Sequence, residues 1–348
     1  MVRRAALLLV FVVATIACGV RVRGAGSTYA ALLYEDWREQ IIRKYPNVQI
    51  VYNPVGSGEG IRLFLEGKVD FAGSDVPLTE EQKARAKGGV LKTDVLQIPT
   101  TVGAVAPVYN VRGVTKTLRF TPEALAGIFA GTIQSWDDPA IQNENRESDL
   151  PSSKIIIVHR SDSSGTTCVF SQFLTKADRI TWDPTIRPIR HDELGCQIQW
   201  PRGSIGAVGS DEVAKAVQAT PNSLGYVEYS YAAENNQGGG DLDWGYVRNS
   251  SRNFVRARLA SIRASTTALT SIPTGSLLES SNDGAYPISA LTWLLVPVPP
   301  RNGSLKELCQ FLDWMLDTGQ QRAERIGYVP LPDEVIKQER VAISRVCP

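Results

Sequence analysis

The chain has 348 residues, of which 43% are hydrophobic and 21% charged, and its formal net charge is +1. That length accommodates two domains with full cores, and the composition is that of a soluble globular protein. Charge this balanced, with no acidic or basic block, argues against a nucleic-acid partner, which needs a clustered cationic face.

At the start, Arg3 and Arg4 precede an uncharged run from Ala5 to Val20. That run is shorter than the roughly 20 apolar residues of a membrane span. A basic start, a short apolar run and small residues at a cut site describe an export signal. Thr15-Ile16-Ala17 supplies small residues three and one before Cys18, so a signal peptidase would cut after Ala17. The pair Ala17-Cys18 also resembles a bacterial lipobox, in which the cysteine is acylated before the cut, and Cys18 is therefore the lipidation candidate. Both readings remove residues 1–17 and export the rest, to the periplasm or the outer face of the cell membrane. A retained membrane anchor is the competing reading, and its short length counts against it. With Cys18 lipidated, Cys168, Cys196, Cys309 and Cys347 remain to pair in an oxidising compartment. Three connectivities are open, and buried free thiols are the alternative.

Arg21 to Gly24 reads as the tail of a strand and Gly24-Ala25-Gly26-Ser27 as a turn. Tyr29, Leu33, Trp37, Ile41 and Tyr45 recur on one face of a helix that Pro46-Asn47 ends. Val48 to Val55 predicts a strand, Gly56-Ser57-Gly58-Glu59-Gly60 a tight loop, and Ile61, Phe64 and Leu65 a short helix closed by Gly67. Val69 to Gly73 is the next strand, leading into Ser74-Asp75. Strand, loop and helix alternating in this way predict an α/β layer.

Ile98 to Val111 is too long for one compact strand pairing and reads as a crossing between lobes; Ile288 to Val298 is a second run of that character. Two crossings so far apart imply one lobe built from both chain ends, residues 18–101 and 287–348. The second lobe, residues 102–286, is inserted between them. Within it, Thr121-Pro122 opens a helix, and a strand from Lys154 to His159 runs into Arg160-Ser161-Asp162-Ser163-Ser164-Gly165-Thr166. Asn235 to Gly240 reads as a Gly-rich surface loop, and Leu305 to about Arg325 as the C-terminal helix.

Gly26-Ser27-Thr28, Gly56-Ser57-Gly58 and Ser163-Ser164-Gly165-Thr166 share a grammar, since each follows a strand and is built of small or hydroxyl residues. Helix N-termini expose N–H groups and a partial positive charge, and so bind oxyanions. Glycine lets the backbone approach, and hydroxyls add donors without bulk. One such turn is ordinarily a helix cap; three, from both expected lobes, point to an anion site. Arg160 supplies a planar fork of donors suited to phosphoryl oxygens, and Asp162 is placed to hold it. Asp75 is the odd member, because a carboxylate repels a bare anion. It suits a ligand that carries a proton, as hydrogen phosphate does and sulfate at neutral pH does not.

Gly24-Ala25-Gly26-Ser27-Thr28-Tyr29, Gly56-Ser57-Gly58, Gly73-Ser74-Asp75-Val76-Pro77-Leu78, Ser135-Trp136-Asp137-Asp138, Arg160 to Thr166 and Gly225-Tyr226-Val227-Glu228-Tyr229 occur in this order. Together they resemble the substrate-binding subunit of the phosphate ABC importer, from about Val22 to about Val335. The resemblance implies an α/β, two-lobed periplasmic binding protein fold of type II with two hinge crossings. It implies a monomeric receptor that takes inorganic phosphate from its interlobe cleft to a membrane permease, without cofactor, metal or catalytic residue. By motif match, Thr28 and Ser57 would donate through hydroxyl and backbone, and Asp75 would accept the phosphate proton. Arg160 would pair with the anion, braced by Asp162, while Ser164, Gly165 and Thr166 would donate from the second lobe. Glu59 departs from the family pattern by placing a carboxylate near an anion turn, and Ser163 replaces a common glycine. The rival readings are a receptor for another oxyanion, such as sulfate or molybdate, and a hydrolase using Ser57 or Ser164. A surface protein keeping the fold for sensing or adhesion is a third. The hydrolase reading has only His159 and His191 for histidine bases and no G-x-S-x-G elbow.

Overall fold

The computed structural model describes residues 20–182, 190–192, 195–236, 242–267, 269, 277–278, 280–299 and 305–347. The expected export signal, Cys18 and residues 237–240 of the expected Gly-rich loop lie outside the described residues.

The first half-sheet is built from β1 (Val20–Gly26), α1 (Ala31–Lys44), β2 (Val48–Asn53), α2 (Ser57–Leu65), β3 (Phe71–Ser74) and α3 (Glu80–Gly88). β1 lies between β2 and β3 and is parallel to both. It runs through the glycines expected to turn. The small residues are there for close packing: a Cβ on Gly24 would sit 2.1 Å from the Phe71 ring, and one on Gly26 would sit 2.1 Å from the Gly73 carbonyl. A second correction concerns Gly56 to Gly60, expected as a loop. Only Gly56, at φ +90°, is outside the helix, and Ser57 already opens α2. Serine and glycine are weak helix formers, so the start of α2 carries no helical signal in the sequence.

β4 (Asp94–Asn110) is one continuous strand of 17 residues. The chain then forms β5 (Arg119–Phe120), α4 (Pro122–Ala130), α5 (Pro139–Gln142), β6 (Ile156–Arg160), α6 (Gly165–Ala177), β7 (Arg190–Asp192), β8 (Gly195–Gln197), β9 (Ile205–Ala207), α7 (Gly209–Ala219) and β10 (Ser223–Glu228). After these come α8 (Tyr229–Asn236), β11 (Asp243–Trp244), β12 (Tyr246–Arg248), β13 (Phe254–Arg256), α9 (Leu259–Ala264) and β14 (Ser289–Val298). β4 pairs with β14 from Asp94 to Ala104 and with β10 from Val105 to Asn110. It therefore belongs to two half-sheets, ordered β2-β1-β3-β14-β4 and β4-β10-β6-β9 along one path. Among the described residues β14 pairs with β3 and β4 alone, in the first half, so Ile288 to Val298 is not itself the crossing expected of it.

The C-terminal helix is not the single rod its apolar face suggests. α10 (Leu305–Trp314) passes into a π-helical turn (Met315–Gly319), α11 (Gln320–Arg322) and a 3-10 turn (Ala323–Ile326). Trp37 Nε1 donates to the Gly319 carbonyl at 3.0 Å, which draws that carbonyl out of the regular helical ladder. α12 (Asp333–Ser344) follows. Its buried face is Val335, Glu339 and Ile343, and the glutamate in the middle breaks the apolar period in the sequence.

Each half-sheet has an aromatic core. Trp37 lies edge-on to Phe311 and Trp314, and Phe71 packs on Phe311. In the other half Phe129, Phe170, Trp200 and Tyr226 cluster, as do Tyr109, Phe120 and Trp136. Burying one such ring contributes about 1.5–3 kcal/mol. Cys168 of α6 is disulfide-bonded to Cys196 of β8, and Cys309 of α10 to Cys347 beyond α12. Of the three connectivities left open, this is the one present. Among the described residues, no helix is long and apolar enough to cross a membrane.

Candidate anion site

Helices α1, α2, α6 and α7 start just beyond β1, β2, β6 and β9, at the carboxyl ends of parallel strands. Open α/β sheets bind their ligands at that edge. The helix starts meet between the two halves of the molecule. Gly58 N–H of α2 donates to the Ser163 carbonyl at 3.2 Å. The first residue of α6 presses on the opposite half: a Cβ on Gly165 would lie 2.4 Å from both Asp75 Oδ2 and Ser57 Oγ. Only glycine allows that approach.

Asp75, just past β3, is 4% exposed. Ser27 Oγ donates to its Oδ1, and Ser57 Oγ donates to its Oδ2 at 3.1 Å. Burial pushes its pKa up to about 6, against the pull of the Ser27 and Ser57 hydroxyls and the charge of Arg160. Each carboxylate oxygen keeps lone pairs beyond those two serines, so a further donor can be accepted.

Arg160 ends β6 with its side chain 1% exposed. Its Nε donates to Asp162 Oδ1 at 2.7 Å and its Nη2 to Asp162 Oδ2, a bidentate fork. Its Nη1 donates to Ser210 Oγ at 3.3 Å, and its backbone N–H to the Tyr226 hydroxyl at 3.3 Å. Asp162 Oδ1 also accepts from Gly209 N–H, the first residue of α7, at 3.1 Å. Burial works to raise the Asp162 pKa, but the Arg160 guanidinium and that N–H outweigh it and hold the carboxyl below its ordinary range.

Ser164 caps α6, its Oγ accepting from Thr167 N–H at 3.2 Å. Thr166 is fully buried, and its Oγ1 has no hydrogen-bond partner among the described residues. Thr28 is 6% exposed; its carbonyl accepts from the Tyr231 hydroxyl at 2.9 Å, and its Oγ1 lies 3.3 Å from Ser210 Oγ.

Ser57, Asp75 and Gly165 thus form one contact group, while Arg160, Asp162 and, through Ser210, Thr28 form another. Ser164 and Thr166 flank Gly165 in sequence. Glu59 turns away: its carboxylate takes Arg62 Nε at 2.7 Å, and its side chain is 38% exposed. The sequence reading missed Ser27 as a partner of Asp75 and missed Ser210 altogether. Gly209-Ser210, opening α7 just beyond β9, has the same strand-turn-helix grammar as the three turns singled out, so the signal was present. His159 stacks on Trp200 with ring centroids 4.9 Å apart, and its Nδ1 meets the Arg160 carbonyl. The hydroxyls of Ser57 and Ser164 are engaged with Asp75 and Thr167 rather than with that ring.

A two-lobed α/β chain whose helix starts meet between its halves is a solute-binding protein of the periplasmic type, and residues 13–318 match the family model of the PBP superfamily domain. The chain is 34% identical to the phosphate-binding protein PstS of Methanocaldococcus jannaschii over 351 residues, covering 93% of this chain and 86% of that one. Against PstS of Xylella fastidiosa (strain Temecula1) it is 33% identical over 325 residues, covering 92% and 84%. It belongs to the PstS family of phosphate-binding proteins. Among solved structures it resembles the phosphate binding protein of Stenotrophomonas maltophilia, with a TM-score of 0.68 at 21% identity, covering 93% of this chain and 94% of that one. It also resembles a putative phosphate ABC transporter substrate-binding protein with bound phosphate from Clostridium perfringens, with a TM-score of 0.62 at 18% identity, covering 90% and 100%. The expected type II, two-lobed fold is the fold of this chain.

Proposed function

We propose that this protein captures inorganic phosphate between its lobes and delivers it to the permease of an ABC-type importer. The observation that carries the reading is Asp75: a buried carboxylate facing a turn of donors, where an anion without a proton would be repelled. The family supplies the ligand class, since the named relatives are phosphate-binding proteins. In this reading Arg160 faces the anion, held by Asp162. Thr28, Ser164, Gly165 and Thr166 donate from hydroxyls and helix N–H groups, and Asp75 accepts the phosphate proton. Ser57 contributes its N–H, because its hydroxyl is committed to Asp75. The lobes are residues 18–101 with 287–348, and 102–286; the change of partner along β4 after Ala104 supports that division. The mature protein works as a monomer outside the cytoplasm, whether free or tethered through an acylated Cys18.

Calorimetry on phosphate-stripped protein tests the reading. Phosphate and arsenate should bind, and sulfate should be rejected by several orders of magnitude, because it would leave a buried acceptor unpaired. Equal affinity for sulfate would overturn the assignment.

A further inference from the structure

We infer that Ser210 fixes the direction of the hydrogen bonds at Thr28 and makes the Thr28 hydroxyl a donor to the bound anion; the inference rests on the phosphate reading above. Ser210 is the second residue of α7 and is 1% exposed. Its Oγ lies 3.3 Å from Arg160 Nη1 and 3.3 Å from Thr28 Oγ1. A guanidinium has donors and no acceptor, so Ser210 accepts from Arg160. The serine has one proton of its own. Among the described residues the acceptor in reach of it is Thr28 Oγ1, and leaving a buried hydroxyl proton unpaired is costly. Ser210 therefore donates to Thr28.

Thr28 Oγ1 has thereby received a hydrogen bond, and its own proton has no acceptor among the described residues. That proton is left for an anion oxygen. The relay runs from Arg160 Nη1–H to Ser210 Oγ–H to Thr28 Oγ1–H, and it crosses from the half of the molecule that carries β6 to the half that carries β1. Ser210 is thus a positioning residue. It need not touch the anion, and it acts by orienting a hydroxyl that does. Bonds aligned in one direction also polarise one another, which strengthens the last donor.

A double-mutant cycle read by phosphate calorimetry tests this. Ser210→Ala and Thr28→Val should each lower the association constant about tenfold, the loss of one hydrogen bond to a charged group. The double variant should bind about as Thr28→Val alone does, because Ser210 acts through the Thr28 hydroxyl. Ser210→Thr, which keeps the hydroxyl, should stay within about threefold of the parent. Thermal unfolding in phosphate-free buffer checks each variant's fold. If Ser210→Ala does not fold, Ser210→Cys, a similar shape with a weak donor, completes the cycle with the same expectation. Parental affinity in the Ser210 variant, or losses that multiply in the double variant, would overturn the inference. A parent protein that does not bind phosphate would instead overturn the receptor reading, and this inference with it.

Discussion

Asp75 receives hydroxyl protons from Ser27 and Ser57 on its two oxygens and faces the start of α6 across a contact that tolerates no Cβ at Gly165. A group so placed can discriminate between anions by proton count. Asp75→Asn keeps the shape but adds a donor. Hydrogen phosphate should lose little, since the amide oxygen still accepts its proton. Sulfate should gain roughly 1–3 kcal/mol, because a repelling charge is gone and a donor has appeared. Lowering the pH should imitate the mutation. With its pKa pushed up to about 6 by burial, unliganded Asp75 takes up a proton as pH falls through that value and becomes a donor in turn. The phosphate-to-sulfate ratio from competition calorimetry should therefore narrow between pH 8 and pH 5, and the Asn variant should not show that narrowing. An unchanged ratio in Asp75→Asn would make the residue an ordinary turn aspartate. The chemistry of Asp75, Arg160 and Asp162 was legible in the sequence because charge stands out against small residues. The turns that hold Ser27 and Ser210 were legible too, but the partners of these serines were not, because a serine beside a helix start looks the same whether it caps a helix or bonds to a neighbouring side chain.

At the scale of elements, β4 was readable as a crossing from its length, but where it changes partner depends on side chains that meet over it. Gly103 lies just before that change, and a Cβ there would sit 2.6 Å from the Tyr29 ring and 2.9 Å from Glu228 Oε1. Glu228 ends β10 and is fully buried. The Tyr328 hydroxyl donates to the Tyr29 carbonyl at 2.6 Å, so it accepts from Ser230 Oγ, 2.9 Å away. Ser230 Oγ also lies within donating reach of Glu228 Oε2, which accepts the Ser230 N–H at 2.7 Å as well. Among the described residues the side chains facing Glu228 are those of Tyr29, Tyr231, Tyr328 and Ser230, and the Ala104 backbone also hydrogen-bonds to it. Burial accordingly pushes its pKa up to about 8 against the Ser230 hydrogen bonds. A folded state that holds a proton the unfolded chain has released loses stability as pH rises. For Glu228 the loss should begin near its ordinary value of 4.5 and stop growing above about 8, at no more than about 1.4 kcal/mol per pH unit. Glu228→Gln should remove this part of the decline, so its unfolding midpoint in urea should gain on the parent between pH 5 and pH 8. A constant difference across that range would show that Glu228 is ionised in the fold. The elements that escaped the sequence did so for related reasons: polar Glu339 interrupts the face of α12, and the small residues opening α2 carry no helical period.

Among the described residues the two halves touch through Gly58 and Ser163, Thr28 and both Ser210 and Tyr231, Ser230 and Tyr328, Arg263 and Glu324, and the packing of Gly165 on Asp75 and Ser57. Two backbone crossings, along β4 and ahead of β14, join the halves, and each half has its own aromatic core. Motion of one half against the other therefore leaves both cores intact. What it breaks is the set of cleft contacts, whose polar members contribute of the order of 1 kcal/mol each. An anion gripped by donors from both sides adds differential affinity for the closed arrangement, and a ligand shifts such an equilibrium only by that difference. Phosphate-stripped protein should thus populate open forms that phosphate suppresses, as hinged binding proteins do. Small-angle scattering should show a smaller radius of gyration with saturating phosphate than without it. Arg160→Ala should abolish the change along with the binding, since it removes the cation on one face of the cleft. Superimposable curves for a parent protein shown by calorimetry to bind would mean that the halves are fixed. The cleft contacts would then be permanent structure, and ligand entry would have to occur without any separation of the lobes.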